Sequence, residues 1–219
     1  MSFDYTACFT HLGVVEASTL QATLASFAIH FCGSYSTLVY NGRWVQEQQG
    51  ARRDWAGFAA DAVSARPSAF AQFKGDGFRF TFGFLTLPPA VGVAGAAELR
   101  AAWLVISDGD LERMGYALED QGTDIIKLFV ALFRALNAGS MAMGVELSAR
   151  QFLQFLAGQL PLAEMDERVD LAIAPPAASA AAMRGNPGTR DLNVDGTPVL
   201  ARYFVGLEPY FPRPTTPRR

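Results

Sequence analysis

Phenylalanine stands at every second position from Phe78 to Phe84, with Arg79, Thr81 and Gly83 between, and this alternation predicts a β-strand with one wholly aromatic face. Such a face needs an apolar layer to pack against, because phenylalanine carries no polar tip to hold it at a wet surface. Phe3, Tyr5, Ala7 and Phe9 alternate with Asp4, Thr6, Cys8 and Thr10, which predicts a first strand with one half-buried face. Over 17–32 the period changes: Leu20, Leu24, Phe27 and Phe31 recur at helical spacing, and Gly33 stands where a left-handed C-cap would fall. Residues 36–40, the pair Asn41-Gly42, and 43–46 then spell a hairpin with a two-residue turn, since both turn positions need positive φ. Trp55, Phe58, Ala59 and Ala62 predict an amphipathic helix over 52–65, which Pro67 stops.

Pro88 and Pro89 end the phenylalanine strand, and the small residues of 90–97 form a connector without the glycine spacing of a dinucleotide-binding loop. A second series follows. It has an apolar strand over 101–106, a turn at 107–110, and a helix over 124–137 with Ile125, Phe129, Leu132, Phe133 and Leu136 on one stripe. Gly139 ends that helix; a strand over 141–147, a helix over 149–160 and a strand over 169–173 are predicted next. Residues 175–188, rich in alanine, proline and glycine, read as a long surface loop. Asp195-Gly196 marks a tight turn into a strand over 198–207. The expected class is therefore α+β, an antiparallel or mixed sheet with helices packed on one side. The element order admits one domain over 1–212, built as related strand-helix-strand halves at 1–89 and 98–212, with 213–219 as an extended tail.

Composition narrows the function classes. Half of the 219 residues are hydrophobic and 18% are charged, the balance of an ordered globule. Net charge is −3 and only Lys74 and Lys127 are lysines, so no basic stripe is available to neutralise a phosphate backbone, and nucleic acid is not an expected partner. The opening residues lack the pattern of a signal peptide and no apolar run reaches membrane-spanning length, so the expectation is a cytoplasmic protein that does not enter a membrane. Two cysteines are too few for a disulfide framework.

Phosphate-loop, nucleophile-elbow, HExxH and CxxC patterns are all absent, and no cofactor is expected. The two histidines and two cysteines nevertheless share one short stretch, Cys8-x-x-His11 and His30-x-Cys32. Thiolate and imidazole are zinc's preferred donors, so these four residues are candidate metal ligands, and Cys8 with His11 is a candidate nucleophile and base. The plainer reading puts His30 in the last turn of a helix and Cys32 in the core. Asp108, Asp110 and Glu112 follow a strand end, where carboxylates bind hard cations, act as acids and bases, or cap the next helix. Glu164, Asp166, Glu167 and Asp170 read as a solvated acidic face. Tyr40 and Trp44, aromatics on the predicted hairpin, suit an interface.

The strand, helix, Tyr-Asn-Gly-x-Trp hairpin of 40–44 and Gly-Leu-x-Pro-Tyr run of 206–210 resemble immunity proteins of bacterial type VI and polymorphic-toxin systems. That resemblance implies a cytoplasmic α+β protein that binds and blocks a cognate toxin. On this reading the function is non-enzymatic protein binding, with Tyr40, Trp44, Asp108, Asp110 and Glu112 as partner-binding residues; the chain alone or a homo-oligomer would serve. Two alternatives stay open: an enzyme using a Cys/His nucleophilic pair, and a carrier of a small apolar ligand held between the phenylalanine strand and the helix at 124–137.

Overall fold

In the computed structural model, residues 4–10, 12–40, 44–47, 54–63, 68–87, 99–145, 169–186 and 188–202 are described. Their strands are β1 (Asp4–Thr10), β2 (His30–Tyr40), β3 (Trp44–Glu47), β4 (Ser68–Lys74), β5 (Arg79–Leu87), β6 (Leu99–Ser107), β7 (Ser140–Val145), β8 (Val169–Ile173), β9 (Arg190–Val194) and β10 (Thr197–Ala201). Their helices are α1 (Ala17–Ser26), α2 (Trp55–Val63), α3 (Asp108–Asp120), α4 (Ile125–Ala135) and α5 (Ala177–Gly185). The strands join in one sheet of order β3-β2-β4-β5-β6-β1-β7-β8-β10-β9, and every pairing is antiparallel. The chain is thus α+β. Because β1 inserts between β6 and β7, the two series of elements share one continuous sheet at its centre.

Alternation along the strands sorts the side chains onto two faces. Tyr5, Ala7 and Phe9 of β1, Ala102, Leu104 and Ile106 of β6, and Met141 and Met143 of β7 belong to the main core. Phe78, Phe80, Phe82 and Phe84 join them there, all buried. The aromatic row meets Phe73 of β4, whose ring centroid lies 5.6 Å from Phe80 and 5.9 Å from Phe82, and Phe58 of α2, 6.3 Å from Phe84. Burying each such ring contributes about 2 kcal/mol, so this layer anchors one half of the sheet. Leu20 and Leu24 of α1, Leu111, Met114 and Leu118 of α3, and Phe129 and Leu132 of α4 close the same face.

The second face is covered differently. Cys8, Ala101, Ala142, Ala172 and Leu200 point there from neighbouring strands, and Ala180, Ala182 and Met183 of α5 pack onto them, with Trp103 at the margin. Among the described residues, four helices therefore lie on one face and α5 on the other. Helix α5 also replaces the surface loop expected over 175–188: its Ala-Ala-Ser-Ala-Ala-Ala run has the highest helix propensity available, and Pro176 stands at the N-cap, where a missing N–H costs nothing. Gly83 faces this side too, where an added Cβ would strike the Ala69 carbonyl and Phe70 Cα; only glycine lets β4 and β5 approach so closely.

Several boundaries also differ from expectation. Helix α1 stops at Ser26 with a Schellman-type end: Ile29 N–H donates to Leu24 O, Ala28 N–H donates to Ala25 O, and Ala28 takes φ 53°. His30 and Cys32 consequently lie on β2, and Gly33, with φ 84°, sits where the β2–β4 register shifts. The β2–β3 register pairs Tyr40 with Trp44, and the Asn41-Gly42 turn expected between them lies outside the described residues. The Asp195-Gly196 turn matches expectation, with φ 51° and 82° and Val194 paired to Thr197. Strand β4 is not predicted by the sequence pattern, and α3 is the helix that the capping reading of the Asp-Gly-Asp turn requires. The predicted helix over 149–160, the connector over 90–97, the 206–210 run and the tail over 213–219 lie outside the described residues.

Candidate functional site

Helix α3 begins where β6 ends, and its first turn is built from the Ser-Asp-Gly-Asp run. Ser107 is the N-cap: its Oγ accepts from Asp110 N–H at 3.2 Å and donates to Asp110 Oδ2 at 2.8 Å. Asp108 Oδ1 accepts from Gly109 N–H at 2.7 Å. Asp110 Oδ1 further accepts from the backbone N–H of Arg79, at the start of β5, at 3.2 Å, and pairs with Arg113 at 3.3 Å. Asp110 therefore fastens the helix start to the sheet end. Glu112 lies outside this network, exposed, with Tyr116 Oη donating to it at 3.4 Å.

Beyond the first turn, Leu111, Met114 and Leu118 turn inward while Glu112, Arg113, Tyr116, Glu119 and Asp120 face out. The helix holds five carboxylates, at 108, 110, 112, 119 and 120, against the single guanidinium of Arg113, a net −4 that exceeds the whole chain's −3. Tyr116, at 58% exposure, is one of two large hydrophobic side chains that stand exposed among the described residues; the other is Val14. The Tyr116 ring therefore stands in a field set mainly by the exposed carboxylates of Glu112, Glu119 and Asp120.

A second group gathers at the same end of the sheet. Asp170, on β8, is only 6% exposed, and burial pushes its carboxyl up to about 7 while the nearby Arg202 guanidinium pulls it down. Arg202 follows β10 directly, and its N–H donates to Asp170 O at 2.7 Å, extending the ladder by one bond. Tyr5, buried at the start of β1, has its pKa raised by burial and then by the negative charges of Asp170 and Asp108. Four elements thus bring a phenol, two carboxyls and a guanidinium together. A carboxyl titrating near neutrality can take or give a proton at physiological pH. The sequence pattern puts Asp170 on a solvated face; the structure corrects this, because β8 is buried on both sides and carries the residue inward. An aspartate between Val169 and Leu171 in an otherwise apolar run was the available signal.

The remaining candidates are dispersed. Cys8 is fully buried at the middle of the sheet, and burial pushes its thiol well above the ordinary range, away from the reactive thiolate. Cys32 is on β2, separated from β1 by β4, β5 and β6, and His30 shares β2 with it; His11 lies outside the described residues. Among the described residues no group of three or more His, Cys, Asp or Glu side chains is placed to hold a metal ion. Tyr40 and Trp44 are register partners in the pairing of β2 with the edge strand β3. Since β2 and β6 run in opposite directions, this hairpin lies at the end of the sheet away from Asp108, about 25 Å distant along the strands. The 40–44 pair and the 108–112 carboxylates therefore cannot form one small patch. Helix α4, expected to wall a ligand pocket with β5, packs against α1, α3 and β9, while the phenylalanine row takes Phe58 and Phe73 as neighbours.

No helix among the described residues is long and apolar enough to cross a membrane. Comparison of the chain with protein-family models, with curated proteins and with solved structures finds no match.

Proposed function

We propose that this protein is a non-enzymatic binding protein of the bacterial cytoplasm, and most concretely an immunity-type inhibitor that neutralises a cognate toxin by docking a basic surface against α3. The observation that carries this reading is the outward face of α3, where the exposed carboxylates of Glu112, Glu119 and Asp120 outnumber the Arg113 guanidinium around the exposed Tyr116. A charged face of this kind steers encounter and selects partners, and a tyrosine supplies buried contact area at low entropic cost. Asp108 and Asp110 hold the helix start in place, so the contact residues proper are Glu112, Tyr116, Glu119 and Asp120. Tyr40 and Trp44, at the opposite sheet end, would serve a second contact or a homo-oligomer.

The test is growth rescue of cells producing the toxin, together with its affinity in vitro, for the wild type and for an E112K/E119K/D120K triple variant. The variant is expected to keep its thermal unfolding midpoint, to lose affinity by at least a hundredfold, and to lose rescue, with the wild-type affinity falling steeply as salt rises. Unchanged affinity in a folded variant would remove α3 from the interface.

A further inference from the structure

We draw no further inference here: the strongest candidate, the cluster of Tyr5, Asp108, Asp170 and Arg202 at one end of the sheet, rests on the titration of a single buried carboxyl, and the segments that flank it, 161–168 and 203–219, lie outside the described residues.

Discussion

Thr10 is 1% exposed at the end of β1, and its Oγ1 finds no hydrogen-bond partner among the described residues. A buried hydroxyl that lost its water without a replacement costs about 1–3 kcal/mol. Thr10→Val keeps the shape and the strand preference and removes that cost, so the variant is expected to unfold about 1 kcal/mol later in urea with an unchanged m-value. A loss of stability would mean that the hydroxyl is satisfied. Asp170 carries a cost of another kind. Its carboxyl titrates near 7 when folded and near 3.9 in an unfolded chain, so between those values the folded state binds more protons than the unfolded one. Stability therefore falls as pH rises from about 4 to about 7; the penalty is absent below that window and complete above it, on the order of 4 kcal/mol. Asp170→Asn is expected to flatten this slope, checked by urea unfolding of both proteins at about pH 4.5, 6 and 8. A wild-type profile as flat as the variant's would contradict a buried, proton-binding carboxyl.

At the scale of the element, helix α1 ends on a residue that resists the conformation it holds. Ala28 occupies the left-handed C′ position of the Schellman end, where a Cβ costs roughly 1 kcal/mol that glycine avoids. Ala28→Gly is accordingly expected to raise stability by about 0.5–1 kcal/mol in chemical denaturation, and a decrease would show that Ala28 packs more than it strains. The same junction shows why part of the fold was readable and part was not. Phe27 and Phe31 satisfy a spacing of four whether the chain is helical or not, and the cluster Phe27, Ile29, Phe31 satisfies strand alternation equally. The structure takes the second pattern from His30 onward. By contrast β5, β6, β8 and α4 each show one unambiguous period or apolar run, and the Asp195-Gly196 turn needs only local chemistry. Helix α3 offered Leu111, Met114 and Leu118 at spacings of three and four, a readable stripe hidden behind a turn-like Asp-Gly-Asp start. Helix α5 was hidden by its alanines, which carry helix propensity but no hydrophobic periodicity.

Across the whole molecule, the candidate site depends on pairings that no local pattern records. Tyr5, Asp108, Asp170 and Arg202 are separated by most of the chain, and only the order β6-β1-β7-β8-β10 brings their strand ends to one side of the sheet. The same order sends the Tyr40–Trp44 hairpin to the opposite end, so two sets of binding candidates that look equivalent in sequence are far apart in space. What remains as a single coherent surface is α3, tied to the sheet by Asp110 and carrying the exposed carboxylates of Glu112, Glu119 and Asp120 around Tyr116, with Arg113 the one cation among them. Whether this surface has a protein partner is decided by a native mass spectrum of the untagged protein taken gently from its own host. The expected result is a complex of defined stoichiometry with a second, basic protein, dissociating as salt is raised and missing when E112K/E119K/D120K replaces the wild type. A bare chain holding a metal ion or a small molecule, or a complex that survives the charge reversal, would contradict it.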